Sequence, residues 1–191
     1  MTAHTPPPTM RVARSSRALR WARPAVPAFL VGALACGGAG GEIKKSQHAT
    51  VTQRVGRTEI SLVYNRPVAR GRRLFGGIVP WGQPWNPGAD DATTITVSRD
   101  VRVNGAPLPA GTYSAWAIPD STRWTVIFSR AADVFHTPYP EGKDALRVIA
   151  VPRAGPHMET LGFYFPAVEG ARAELVLHWG ETVVPLALVA Q

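Results

Sequence analysis

Tyr113-Ser114-Ala115-Trp116-Ala117-Ile118-Pro119-Asp120-Ser121-Thr122-Arg123-Trp124-Thr125-Val126-Ile127-Phe128 reads as two apolar, aromatic and β-branched runs around a polar break led by proline. Such residues suit a pleated, half-buried surface, and the Pro-Asp-Ser-Thr cluster suits a turn, so the stretch predicts an antiparallel hairpin. Working outward, the same period of two recurs. Glu59 to Tyr64 puts Ile60, Leu62 and Tyr64 on one face, and Thr93 to Val97 is rich in β-branched residues and leads into Val101-Arg102-Val103. Arg147–Val151, Thr160–Phe165, Ala173–Trp179 and Thr182–Leu188 complete the set. Asn104-Gly105 tolerates positive φ at both positions, as a type I′ hairpin turn demands, and Gly180-Glu181 marks a second tight turn. Pro185 lacks an N–H, which makes the last strand an edge at least there.

Short strands broken by Gly, Pro and Asn, with no long amphipathic helix, bury their apolar faces most simply as two packed sheets. The reading is an all-β, single-domain antiparallel sandwich of eight or nine strands, occupying residues 48–191. One short helix is allowed within Ala131 to Arg147, where Asp144 and Arg147 are spaced to meet on one face.

The N-terminus has a different composition. Five arginines (Arg11, Arg14, Arg17, Arg20, Arg23) and no acidic residue precede an apolar run from Ala25 to Ala35. That is the pattern of an export signal over residues 1–36, translated from Met1 or from Met10. The run is shorter than the roughly 20 residues that span a bilayer. Cys36, the one cysteine of the chain, follows Ala33-Leu34-Ala35 as in a lipobox, so its thiol is a candidate for acylation. The other reading is an ordinary signal peptide and a soluble periplasmic or secreted product. Residues 37–47, glycine-rich and then polar, read as a flexible tether. The formal charge of +8 also belongs largely to this leader. Of 21 Lys and Arg, five lie in the leader, leaving 16 against 13 Asp and Glu. A surplus of three gives no basis for nucleic-acid binding.

Between the second and third expected strands lies a segment too long for a turn, dense in Arg, Trp and Gly. Its motifs are Asn65-Arg66-Pro67, Gly71-Arg72, Phe75 to Gly82, Trp85 and Gly88 to Thr94. Further on come Asn104-Gly105, Leu108 to Tyr113, Trp124 to Phe128 and Asp144 to Val148. From about Ser46 to the C-terminus the chain resembles the bacterial DUF2911 family. The resemblance implies a single-domain, mostly β, exported protein and assigns it no activity. It also implies two departures: Asn86 stands where an Arg is more usual, and Asp90 where an Asn is more usual.

The residues themselves give little support to several chemistries. No Gly-x-Ser-x-Gly elbow occurs, and Gly71 to Gly77 lacks the ending of a phosphate-binding loop. His48, His136, His157 and His178 form no closely spaced ligand pair, so no metal or cofactor is implied. His178 is expected to face away from Leu177 and Trp179, on the surface or hydrogen-bonded. Two features remain. Arg66, Arg70, Arg72 and Arg73 offer planar forks for anions or backbone carbonyls, framed by Tyr64, Trp81 and Trp85. Asp90-Asp91 could supply one carboxylate of a glycosidase pair, with Asp120, Asp144 or Glu59 as the second. The ligand-binding set is therefore Tyr64, Arg66, Arg70, Arg72, Trp81, Trp85 and Asp90, with a glycan or small anion as partner. The expected protein is a lipid-anchored binding or assembly module of the cell envelope. The alternative is a hydrolase or lyase of envelope carbohydrate using Asp90 or Asp91.

Overall fold

A computed structural model of the chain describes residues 46–191 together with Met1. The expected leader, Cys36 and all but the last two residues of the tether lie outside the described residues. Ten strands make up the domain: β1 (Gln47–Val55), β2 (Thr58–Arg66), β3 (Thr94–Val97), β4 (Val101–Val103), β5 (Ala106–Leu108), β6 (Gly111–Ile118), β7 (Trp124–Ser129), β8 (Asp144–Ala150), β9 (Arg153–Glu169) and β10 (Arg172–Ala190). One sheet has the order β1-β2-β3-β6-β7-β8 and the other β5-β4-β10-β9, with every pairing antiparallel. The all-β sandwich expected from alternation is the fold observed. The count differs from the expected eight or nine because β1 and the three-residue β5 were not among the expected strands, while Ala173–Trp179 and Thr182–Leu188 fall in one strand, β10.

The core lies between the sheets. Ile60, Leu62, Ile95, Val97, Trp124, Val126 and Phe128 come from one side, and Leu161, Phe163, Leu175, Leu177, Trp179, Leu186 and Leu188 from the other. β2, β3 and β4 bury alternate residues, as a sheet with one wet face must. β6 and β7 do not alternate: Trp116 and Ile127, opposite each other in the ladder, are buried although they face away from that core. The segment between β7 and β8 covers them. Tyr139 packs edge-on against Trp116 with ring centroids 5.2 Å apart, and Ser114 donates to the Ala131 carbonyl at 2.7 Å. This segment was expected to hold a short helix. Instead it contains turns and an isolated bridge, because Pro138 and Pro140 deny it a helical ladder. Asp144 and Arg147 do meet, Nε to Oδ2 at 2.5 Å, but from the start of β8.

Along its first half β10 pairs with β9, and near its end with β4. Its two ends are close together, since the Ala190 N–H donates to the Ala171 carbonyl at 2.8 Å. Nineteen residues in a straight line would reach about 60 Å at ~3.3 Å each. The strand therefore doubles back, and the midpoint between Ala171 and Ala190 falls at Gly180-Glu181, with Gly180 at φ 59°. β10 as a whole lies between β4 and β9, but at Pro185 itself it has no rung to either, as expected for that position. Pro185 is accommodated because it lies between the last rung to β9, at Val183, and the first rung to β4, at Leu188.

The β4–β5 turn is as expected, with Asn104 at φ 47° and Gly105 at φ 85°. The Asn104 side chain also does something its position in a turn does not reveal. Its Nδ2 donates to the Ile149 carbonyl at 2.7 Å, and its Oδ1 accepts from the Ala187 N–H at 2.8 Å. One amide thus joins the end of β8 to β10, across the two sheets. Asn104→Ala removes both bonds and puts a Cβ-bearing residue without a local hydrogen bond into left-handed backbone. We expect a loss of about 2 to 4 kcal/mol in urea unfolding. Asn104→Gly should lose less, because it keeps the backbone conformation accessible.

Candidate functional site

β2 ends at Arg66 and β3 begins at Thr94, and residues 67–93 between them build the site. An irregular segment must still satisfy its backbone polar groups, and this one does so by lying against both sheets. Pro67 and Ala69 run beside β9: Leu161 N–H donates to the Pro67 carbonyl at 3.0 Å, and Ala69 N–H to the Glu159 carbonyl at 2.8 Å. Farther along, Trp85 exchanges two backbone bonds of 2.8 Å with Ala117 of β6, and Gly82 N–H donates to the Pro119 carbonyl at 2.8 Å. The stretch then ends against the β7–β8 segment, where Ala92 bonds Val134 and His136 bonds Asp90.

A tight knot between these attachments drives Phe75 into the end of the core. Its ring lies 4.8 Å from Trp124, 5.9 Å from Trp85 and 6.3 Å from Trp179, all edge-on. Trp85 and Trp179 stack at 6.0 Å and 15°. Aromatic pairs of these geometries add about 0.5 to 1.5 kcal/mol each beyond their burial. Gly77 is essential to the knot: a Cβ there would lie 2.1 Å from the Arg73 carbonyl oxygen.

The arginines divide by use. Arg66 Nε donates to the Leu161 carbonyl at 3.0 Å. Arg70, at φ 53°, takes part through its backbone N–H, which donates to Glu159 Oε1 at 2.6 Å. Arg72 Nε and Nη2 hold the Ala69 and Val68 carbonyls at 2.9 and 2.6 Å. Arg73 is exposed. Asn86, only 1 % exposed, is a bracket: Nδ2 donates to the Ala115 carbonyl at 2.8 Å and Oδ1 accepts from Thr93 N–H at 3.0 Å.

Beside this scaffold opens a cleft of about 490 Å³. Of the residues singled out from the sequence, Arg72, Trp85 and Asp90 line it. Tyr64 does not: it is buried under Phe163, whose N–H it accepts at 3.2 Å. Arg66 and Arg70 are also outside it. Trp81, 44 % exposed, borders an adjoining hollow that shares Arg72 and Trp179 with the cleft. Sequence reasoning did not select His136, Gln83 or Trp179, which also line the cleft. His136 is held by the carbonyl of Asp90, 2.6 Å from its Nδ1. A carbonyl only accepts, so Nδ1 carries the proton. A second histidine, His178, is buried between the Tyr164 hydroxyl and the Pro156 carbonyl, at 3.1 and 3.0 Å, on the face away from Leu177 and Trp179 that was expected for it. Among the described residues no group of three or more His, Cys, Asp or Glu could hold a metal ion.

Glu159 secures the start of the loop. Its carboxyl lies below the ordinary value of 4.5, first because of the His157 hydrogen bond at 2.9 Å, then the Arg70 N–H, with the Arg72 charge contributing.

A family model described as "Protein of unknown function (DUF2911)" matches residues 46–188. Comparison with the curated proteins and with the solved structures returns no match.

Two outcomes test this account of the loop. Gly77→Ala should destabilise the domain by about 1 to 3 kcal/mol through overpacking, measured by urea unfolding. Glu159→Gln should lower stability at neutral pH. Since the folded carboxyl titrates below its unfolded value, its contribution is complete above pH 4.5 and is lost as pH falls through the folded value. Unfolding curves of the two proteins should therefore converge in acid; a gap that stayed constant with pH would contradict the assignment.

Proposed function

The chain belongs to the DUF2911 family, and we propose that it is a ligand-binding module of the bacterial cell envelope, exported and anchored through Cys36. The observation that carries the binding reading is the convergence of Arg72, Asp90 and Trp85 on one cleft, whose walls are fixed by backbone bonds to both sheets. A preformed hollow with apolar walls and a few converging polar groups is what a small-molecule site requires. Two guanidinium N–H groups of Arg72 hold carbonyls, leaving three of its five for a ligand such as a small anion or an acidic glycan.

The carbohydrate-hydrolase reading is less well supported. It needs two carboxyls about 5 to 10 Å apart, and among the described residues Asp90 is the one carboxylate lining the cleft. Glu59 does not line the cleft, and the other two candidate partners are engaged elsewhere. Asp120 binds Thr122 in its own turn and is shifted down by those bonds, while Asp144 binds Arg147 and Tyr139. Asp91 belongs to a separate hollow with Asp133 and His48. The envelope assignment draws on the leader and on Cys36. β1 starts at Gln47, paired with Arg66, so the tether joins the domain at the end from which the site loop departs.

The test is a thermal-shift screen of the purified protein against small anions and acidic and neutral glycans. A ligand should raise the melting temperature of wild type, and Arg72→Ala should weaken its binding about tenfold or more while leaving the unliganded protein folded. Absence of any response across the screen would refute the binding reading. Palmitate labelling and intact mass of the mature protein test the anchor: a free thiol at Cys36, or cleavage beyond it, would refute lipidation.

A further inference from the structure

The cleft contains one formal cation and one formal anion, and they do not neutralise each other. Arg72 and Asp90 both line it. Among the described residues Arg72 enters no ion pair, and the Asp90 carboxylate accepts no hydrogen bond and joins no ion pair. Asp90 is also one of only three described non-glycine residues with positive φ, at 60°. Backbone in that region is strained for a side-chain-bearing residue. It is held there by a carbonyl that accepts from both the backbone N–H of His136, at 3.1 Å, and its Nδ1, at 2.6 Å. With Nδ1 as the donor, the neutral form of His136 keeps Nε2 as an acceptor, and His136 lines the cleft. The cleft thus has an acceptor pole of Asp90 and His136 and a donor pole at Arg72. Trp85, Ile78 and Val79 supply apolar wall between polar groups.

We propose that the cleft binds a small zwitterion of the amino-acid or short-peptide class, with its ammonium at Asp90 and His136 and its carboxylate at Arg72. This rests on the reading of the cleft as a binding site and names what it takes. The reason is charge. A simple anion or an acidic sugar satisfies Arg72 but adds negative charge beside a carboxylate that has no partner, and a neutral sugar brings no opposite charge to either group, leaving Arg72 only the influence of Glu159 outside the cleft. A zwitterion places each charge against its opposite and keeps the filled site neutral, which is the least costly way to remove water from it. An ammonium group also brings three donors to a pole made of acceptors. The volume of about 490 Å³ exceeds that of a single small amino acid, and the apolar wall favours a large apolar side chain or a dipeptide.

The experiment is calorimetric titration of the full-length protein with L-leucine, L-phenylalanine and L-alanyl-L-phenylalanine, each alongside its N-acetyl and C-terminal amide derivatives. Glucose, glucuronate and inorganic phosphate complete the set. We expect at least one unmodified zwitterion to bind, and to lose about tenfold or more in affinity on blocking either end. Asp90→Asn should abolish discrimination against the N-acetyl form, and Arg72→Gln discrimination against the amide. These are ratios within one protein, which a general loss of stability would not move. Equal binding of free and blocked forms overturns the proposal. Binding of glucuronate or phosphate without any zwitterion overturns it while leaving the binding reading in place, and no binding by any probe overturns both.

Discussion

Residues 67–93 have almost no regular structure, yet they must run across the end of a sandwich without stranding their backbone polar groups. The solution is to borrow edges that the sheets leave open. Near its start the segment uses the free side of β9, through Pro67 and Ala69. Farther on it uses the lane beside β6 that β3 vacates, where Trp85 meets Ala117. Those two attachments are on different sheets, so the position of everything between them is tied to the spacing of the sheets. Phe75 fills that space, and Trp85 stacks on Trp179 of β10 from a backbone locked to β6. The cleft is what remains beside this bridge, and its floor is as fixed as the core.

The arginine cluster follows from the same need. A segment crossing open ground carries carbonyls that no ladder reaches, and a guanidinium can bond two of them at once while its stem covers apolar surface. Arg72 serves in this way, while Arg66 makes a single bond to the Leu161 carbonyl of β9. Arg72 differs because its fork also borders the cleft, so one side chain both holds the wall and lines the site. Replacement by Lys would keep a charge but lose the planar double contact.

How much of this is legible in the sequence depends on the range of the interaction. Alternation identifies the buried faces of β2, β3 and β4, where one face is wet. It fails at β6 and β7, because Trp116 and Ile127 are covered by a segment that period two cannot place. The near-continuous apolar character of Tyr113–Ile118 and Val126–Phe128 was the available sign that both faces are buried. β1 was missed because its inward face, Ala49, Val51, Gln53 and Val55, is small and only partly apolar among Thr, Gln and Arg. At the site, Arg, Trp and Asp were legible as types. Which arginine turns to the cleft depends on the left-handed pair Arg70-Gly71, where one dihedral redirects every side chain that follows. His136 lies 46 residues from Asp90, in a stretch whose own composition indicates only a loop.

The strain at Asp90 bears on why the site can vary while the fold does not. Left-handed backbone in a residue other than glycine costs roughly 1 kcal/mol or somewhat more, least for Asn and Asp. Here that cost is carried by the surrounding backbone: two bonds to one carbonyl from His136, and the Asn65 Nδ2 donating to the adjacent Ala89 carbonyl at 2.9 Å. None of these bonds involves the Asp90 side chain. The conformation is therefore imposed by neighbours, and the carboxylate is left with no structural duty among the described residues. Asn or Gly could adopt the same backbone. A position whose geometry is fixed from outside and whose side chain holds nothing together can exchange a charged group for a neutral one at little cost in stability, and the charge of the acceptor pole would change with it.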